Sequence, residues 1–174
     1  MIARAERPML LIGRGAEGAE GDTLALAESI GAAAAVTMTA KHLFPNGHEL
    51  FVGGLGAAGS EAASVLMAES DLVIICGATW WPDEYAPPAA RVVQIDAVKE
   101  NIGRGHPVGR GLAGDLKDIM ARLTRMAKER PRDAAAQAPW RRRIAEQRAA
   151  WSERIRTETS RDVAPMEPAR GMKL

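Results

Sequence analysis

The sequence predicts an α/β fold, an open and mostly parallel sheet with helices on both faces. Short continuous apolar runs alternate along the chain with segments of helical spacing, and several of these runs end in glycine. Such runs are typical of strands that are buried on both faces of a parallel sheet. Since the chain has 174 residues and is 47% hydrophobic, it can bury one core of ordinary domain size.

The first elements are a strand, a glycine-rich loop, a helix and a second strand. Pro8–Ile12 is a continuous apolar run and predicts the first strand. Residues 23–30 place apolar side chains near helical spacing, and Gly31 follows where the helix would end. Residues 33–37 predict the second strand, which completes a βαβ unit.

The alternation of helix and strand continues to the end of the predicted domain. Residues 60–70 are alanine-rich and predict a helix, and residues 71–77 predict the next strand. Arg91–Asp96 is a further strand, residues 111–113 form a short one, and Asp115 is the N-cap of the next helix. In open parallel sheets, ligands bind beyond the C-terminal ends of the strands. Four loops are predicted at that edge: residues 13–18, 53–59, 77–90 and 96–106.

We divide the chain into a Rossmann-like domain of residues 1–130 and a tail of residues 131–174. The tail contains a linker rich in proline and alanine, an amphipathic helix and a connection without periodicity. Four large apolar residues share one face of the amphipathic helix: Trp140, Ile144, Trp151 and Ile155. Because an isolated helix would leave this apolar face exposed to water, we expect the face to pack on another surface.

Charge and hydropathy exclude several classes of partner. Residues 1–116 carry 8 basic and 14 acidic side chains, and residues 117–174 carry 15 and 8. The arginines of the tail are interleaved with glutamates and lack an aromatic stacking set, so no nucleic acid is predicted as a partner. No stretch approaches the roughly 20 apolar residues that span a bilayer, and the N-terminus lacks a signal-peptide core. We therefore expect no membrane partner and a cytoplasmic location.

The sequence offers no catalytic group. Cys76 is the single cysteine and lies within an apolar run, which predicts a buried thiol. The three histidines lack the spacing of a metal pair and are expected to be solvated: His42, His48 and His106. No nucleophile stands beside a base and no carboxylates cluster, so neither catalytic nor metal-ligating residues are predicted.

The first loop has the spacing G-x-G-x-x-G, with Gly13, Gly15 and Gly18 directly after the first strand. Ordinary NAD binding is disfavoured, because the helix is expected to begin after Asp22 and the second strand does not end in an acidic residue. Two interpretations remain. The loop is either an anion-binding turn, to which Arg14 adds charge-assisted hydrogen bonds, or a strand-to-helix turn without a ligand.

Further candidate residues follow other strands of the sheet. The stretch VGGLGAAGS includes Gly56 and Gly59, which let a flat group lie close to the backbone or form a flexible connection. Asp96 ends a strand, where a carboxylate can accept hydrogen bonds from a ribose diol. Asp115 is first an N-cap and could also meet an adenine amino group. Trp80 and Trp81 are expected to dock onto a neighbouring domain.

Six segments, taken in order, resemble the central domain of thiamine diphosphate-dependent enzymes such as acetolactate synthase, pyruvate oxidase, oxalyl-CoA decarboxylase and benzoylformate decarboxylase. These segments are RPMLLIGRGA, AKHLFP, GGLGAAGS, SDLVIICGA, VVQIDAVKENIGRG and LAGDLKDIMARL. The resemblance implies a six-stranded parallel sheet. It also explains the missing chemistry, because in this family the activating glutamate and the motif for magnesium and diphosphate lie in other domains.

By this resemblance, the chain is the structural central domain of a decarboxylase, lyase or transferase that uses thiamine diphosphate and Mg²⁺ and acts on a 2-oxo acid or an acyl-CoA. Its partners would be the N- and C-terminal domains of the same enzyme, assembled as a dimer or tetramer. These sister domains would cover Trp80, Trp81 and the face of Trp140 and Trp151.

The resemblance also assigns residues to FAD or ADP, which some family members bind in this domain. Facing the nucleotide would be seven residues: Gly13, Arg14, Gly15, Gly56, Gly59, Asp96 and Asp115. An alternative from another class is a free-standing nucleotide-binding module, such as the FAD domain of an electron-transfer flavoprotein.

Overall fold

The computed structural model describes residues 1–79 and 91–160, and it confirms the predicted α/β class. Six parallel strands form one open sheet in the order β3-β2-β1-β4-β5-β6. The strands are β1 (Pro8–Ile12), β2 (Ala33–Val36), β3 (Phe51–Gly54), β4 (Leu72–Cys76), β5 (Arg91–Asp96) and β6 (Arg110–Ala113). The helices are α1 (Glu20–Ile30), α2 (Glu61–Glu69), α3 (Leu116–Glu129) and α4 (Ala134–Ser160).

The centre of the sheet is apolar on both faces. All residues of β1 and β4 are buried, and Leu10 of β1 stands in register between Ala34 of β2 and Ile74 of β4. Helices α1 and α3 pack against each other, and α2 packs against α4. The near-continuous apolar runs of the sequence are therefore explained by helices covering both faces.

Strand β3 was not predicted, and its residues fall partly in the predicted loop of residues 53–59. Two of its four residues are glycines, which weaken the strand pattern. It lies at the edge of the sheet and pairs with β2 only at Phe51 and Gly54, with a register shift between the two pairs. This strand forms through its pairing with β2, because the strand propensity of its own residues is weak.

Helix α1 begins earlier than predicted, at Glu20 instead of after Asp22. The carboxylates of Glu20 and Asp22 both lie in the first turn, where their negative charge interacts favourably with the positive end of the helix dipole. Gly21 lies inside the helix, and because glycine has a low helix propensity, the sequence favours a loop in this segment.

The predicted linker is also wrong in part, because α4 begins at Ala134 and contains Pro139. Asp133 starts the helix, since its Oδ1 accepts a hydrogen bond from the Ala135 N–H at 3.0 Å. Alanine has the highest helix propensity, which favours helix in this segment despite the proline.

The apolar face of α4 packs on this domain itself, so the expectation that sister domains cover Trp140 is wrong. Trp140 is 3% exposed, and its Nε1–H donates to the Pro8 carbonyl at 2.9 Å. Ile144 is buried beside it, and Trp151 is half-buried against the core. Ile155, at the end of the same face, remains 43% exposed.

Arginines fix α4 to the rest of the domain through contacts with distant segments. Arg143 donates to both carboxylate oxygens of Glu69, at 2.9 Å from Nε and 2.6 Å from Nη2. Arg141 donates to the Glu28 carbonyl at 3.0 Å, and Arg132, just before the helix, donates to the Ile30 carbonyl at 2.7 Å. The helix is thus part of the folded unit.

We expect the Arg143→Met substitution to raise the pKa of Glu69 toward the ordinary glutamate value of about 4.3. Hydrogen bonds from Arg143 lower the pKa of Glu69 in the folded chain. This interaction therefore stabilises the fold above the ordinary glutamate pKa, and the contribution is lost as the pH falls through the lowered value. Carboxyl NMR titration of both proteins measures the shift, and equal Glu69 pKa values would contradict the contact.

Candidate functional site

The first glycine loop lies at the C-terminal edge of the sheet, against the turn that follows β4. The Gly13 N–H donates to the Cys76 carbonyl at 2.8 Å, and the Gly15 N–H donates to the Gly77 carbonyl at 3.0 Å. These two hydrogen bonds join the loop after β1 to the loop after β4.

Close approach of the two backbones explains why glycine stands at these positions. A Cβ atom on Gly13 would lie 2.4 Å from the Gly77 carbonyl oxygen, and one on Gly15 would lie 2.9 Å from the Gly77 Cα. Gly77 itself has a φ of +62°, and a Cβ there would lie 2.5 Å from Gly15. Any larger side chain would force the two loops apart.

Most other amides of this loop also find partners within the chain. The N–H groups of residues 16, 17 and 19 donate to carbonyls within the loop, at 3.0–3.1 Å. The Gly18 N–H donates to Glu20 Oε1 at 3.0 Å, and this hydrogen bond lowers the pKa of Glu20. The Glu20 carboxylate therefore lies at the start of α1, where the positive end of the helix dipole favours a negative charge. The Arg14 side chain is exposed, and within residues 1–79 and 91–160 it forms no hydrogen bond or ion pair.

The second glycine loop, after β3, is a tight turn that leads into α2. A Cβ atom on Gly59 would lie 2.2 Å from the Gly54 carbonyl oxygen, so this position admits only glycine. Gly56 has a φ of +120° and open space where its Cβ would be. Ser60 caps α2, because its Oγ accepts a hydrogen bond from the Ala63 N–H at 3.0 Å.

Asp96 lies at the end of β5 and is only 6% exposed. Its Oδ1 accepts hydrogen bonds from the Val98 N–H at 2.8 Å and from Asn101 Nδ2 at 3.1 Å. Its Oδ2 accepts none from the residues that the structure describes. Among the described residues, one oxygen of this buried carboxylate therefore has no hydrogen-bond donor.

Asp115 is the N-cap of α3, which confirms the structural role predicted for it. Its Oδ1 accepts a hydrogen bond from the Asp118 N–H at 3.0 Å. The Gly114 N–H donates to the Asp96 carbonyl at 3.1 Å, so the two aspartates lie at adjoining strand ends. A contact between Asp115 and an adenine ring stays a prediction.

Sequence reasoning missed Gln94, a buried polar residue of β5. Its Nε2 donates to the carbonyls of Ala78 and Asn101 at 3.1 and 3.2 Å, and its Oε1 accepts from the Gly103 N–H at 2.8 Å. The side chain thereby joins the loop after β4 to the loop after β5 at the ligand edge. A single glutamine inside the apolar run RVVQID is the sequence signal for this role.

The histidines differ from the prediction in part. His42 is exposed, whereas His48 and His106 are half-buried. His48 Nε2 lies 3.2 Å from Glu28 Oε1, and its Nδ1 accepts from the Leu50 N–H at 3.2 Å. Trp80 and Trp81 lie outside the described residues.

Catalytic chemistry is not apparent in the described part of the chain. Residues 1–79 and 91–160 contain no group of three or more metal-ligating side chains. Burial raises the pKa of the Cys76 thiol to about 12, so the thiolate needed for nucleophilic attack does not form near neutral pH. None of the helices formed by these residues is both long and apolar enough to cross a membrane.

Fold and site together define a Rossmann-like α/β domain in which backbone hydrogen bonds join the glycine loop after β1 to the turn after β4. The family described as "Thiamine pyrophosphate enzyme, central domain" matches residues 1–123, and the chain belongs to this family.

Among its relatives, the sulfoacetaldehyde acetyltransferase of Rhodobacter capsulatus is 34% identical, over 89% of this chain and 28% of that protein. The large subunit of acetolactate synthase isozyme 1 from Escherichia coli is 28% identical, over 76% of this chain and 24% of that protein. The X-ray structure of an enzyme from Mycobacterium smegmatis, assigned to the thiamin diphosphate-dependent class, matches with 30% identity and a TM-score of 0.60. That match covers 72% of this chain and 25% of the other. The chain thus spans between a fifth and a third of these proteins.

Proposed function

We propose that this chain is the structural central domain of a thiamine diphosphate-dependent transferase. The complete enzyme would act on a 2-oxo acid, an acyl-CoA or a small aldehyde, with Mg²⁺ and the cofactor held by its other domains. Transfer is favoured over other chemistry because several relatives at 30–34% identity are sulfoacetaldehyde acetyltransferases.

One observation supports the structural role, namely that most backbone amides of the glycine loop donate hydrogen bonds to groups of this chain. The N–H groups of residues 13 and 15–19 all donate to carbonyls or to a carboxylate of this chain. A diphosphate needs several free N–H groups at such a loop, because these donors supply its binding energy. This hydrogen bonding supports a structural role for the loop over the binding of a diphosphate.

A second candidate function is binding of a nucleotide through its ribose. Asp96 favours it, since its Oδ2 has no partner among the described residues although the side chain is buried. A ribose hydroxyl could donate to this oxygen. Contacts of Gly13, Arg14, Gly15, Gly56, Gly59 and Asp115 with FAD or ADP stay predictions of the resemblance.

Isothermal titration of the 174-residue chain with FAD, ADP and coenzyme A separates the two functions. We expect none of these ligands to bind with micromolar affinity. A Kd near 1 μM would correspond to a binding free energy of about −8 kcal/mol. Micromolar binding would contradict a purely structural role. If such binding is abolished in Asp96→Asn while the thermal midpoint of that variant is unchanged, the ribose site is supported.

A further inference from the structure

An exposed apolar surface lies where α4 ends, beside the loops that follow β2 and β3. We call it the apolar corner and define it by five residues: Met38, Leu55, Ala57, Ala58 and Ile155. Met38 is 73% exposed, the largest fraction among the exposed large apolar side chains of the described residues. Ala57 and Ala58 are exposed, and Leu55 is half-buried against the core.

Backbone contacts bring the two loops of the apolar corner together. The Leu55 N–H, at the start of the loop after β3, donates to the carbonyl of Val36, the last residue of β2, at 3.0 Å. Met38 follows in the next 3-10 turn. Leu55 and Met38 therefore lie beyond the C-terminal ends of neighbouring strands, on the ligand edge of the sheet.

Helix α4 brings the third part of the corner to the same edge. It contacts the start of β1 through Trp140 and the end of β3 through Trp151, whose ring lies 3.0 Å from where a Gly53 Cβ would be. A helix rises 1.5 Å per residue, so Ser160 lies about 14 Å beyond Trp151. The helix thus passes the edge of the sheet, and Ile155 lies one turn beyond Trp151 on the same face.

Single exposed apolar residues are normal on protein surfaces and need no partner. Met126 on α3, which is 58% exposed, is such a residue. The apolar corner differs because its members come from three segments, and because α4 carries the polypeptide past it into residues 161–174.

We propose that the apolar corner is the docking surface for the domain that follows the central domain in the complete enzyme. The inference rests on the proposed function, because the matching family is described as a central domain. The chain covers only 28% of the sulfoacetaldehyde acetyltransferase of Rhodobacter capsulatus. The partner presents an apolar face, since the corner offers methionine, leucine, isoleucine and alanine side chains. A polar rim borders it, where Arg154 forms an ion pair with Glu61.

Hydrogen exchange of the complete enzyme tests the docking surface. The amides of residues 38–40 and 55–59 are expected to exchange at least tenfold more slowly there than in the 174-residue chain. The double variant Met38→Glu/Ile155→Glu should restore the faster rates, because two carboxylates would be buried without partners. Met126→Glu is the matched control and should leave the protection unchanged.

Three outcomes would overturn the proposal: equal exchange rates in both proteins, protection around Met126 instead of the corner, or protection that depends on protein concentration, which indicates a second copy. Unchanged thermal midpoints of the isolated variant chains show that folding is intact. Failure of the proposed function would appear separately, as the absence of thiamine diphosphate-dependent turnover in the complete enzyme.

Discussion

Replacing Trp140 by alanine is expected to destabilise the isolated chain by about 3–5 kcal/mol. The indole is 3% exposed and packs in the core of the domain, so its removal leaves a large cavity. It also leaves the Pro8 carbonyl without the donor that now lies 2.9 Å away. Since domains of this size are stable by only about 5–15 kcal/mol, this loss approaches the total. Urea unfolding followed by circular dichroism measures it.

Ile155→Ala is the matched control, because Ile155 belongs to the same helical face but is 43% exposed. Its effect is expected to stay below about 1 kcal/mol, as for most surface substitutions. A loss of less than about 1 kcal/mol in Trp140→Ala would show that α4 does not belong to the folding unit. The domain boundary would then lie near the predicted position at residue 130.

Local patterns predicted most of the fold, and distant contacts account for the rest. Pro8–Ile12 and Arg91–Asp96 were predicted with the bounds that the structure shows, because continuous apolar runs specify buried strands. The cap at Asp115 was predicted because it acts on an amide three residues away. Strand β3 was missed, because its glycines conceal it and only pairing with β2 forms it.

For α4, the sequence indicated an apolar face without indicating what it contacts. The spacing of Trp140 and Ile144 fixes their common direction on the helix. Their burial in this domain depends on the Pro8 carbonyl and on the Arg143 to Glu69 ion pair, contacts that join distant parts of the sequence. Helical periodicity carries no information on such partners.

The glycine loop shows the same limit at the candidate site. Its G-x-G-x-x-G spacing is compatible with a bound phosphate and equally with a close backbone contact. The choice between these two depends on the acceptor of each N–H, and the partners of Gly13 and Gly15 are Cys76 at the end of β4 and Gly77 in the turn that follows it. The structure supplies these partners, and the interpretation of the loop as a turn gains support from them.

Replacing Gly77 by alanine tests this contact and is expected to cost about 3 kcal/mol or more. The left-handed backbone at φ +62° accounts for about 1–2 kcal/mol of that loss. Overpacking accounts for about 1–3 kcal/mol more, because the added Cβ would lie 2.5 Å from Gly15 backbone atoms that cannot yield. Thermal and urea unfolding of the purified chains measure the difference.

Gly18→Ala is the control that separates the two causes. Gly18 has a comparable φ of +83°, but no atom lies within 4 Å of the position that its Cβ would take. Its cost is therefore expected to be the backbone part alone, about 1–2 kcal/mol. Equal losses in the two variants would mean that the loops after β1 and β4 can separate without cost. The amides of Gly13 and Gly15 would then be free to meet a phosphate, and the nucleotide site would become the better interpretation of this edge.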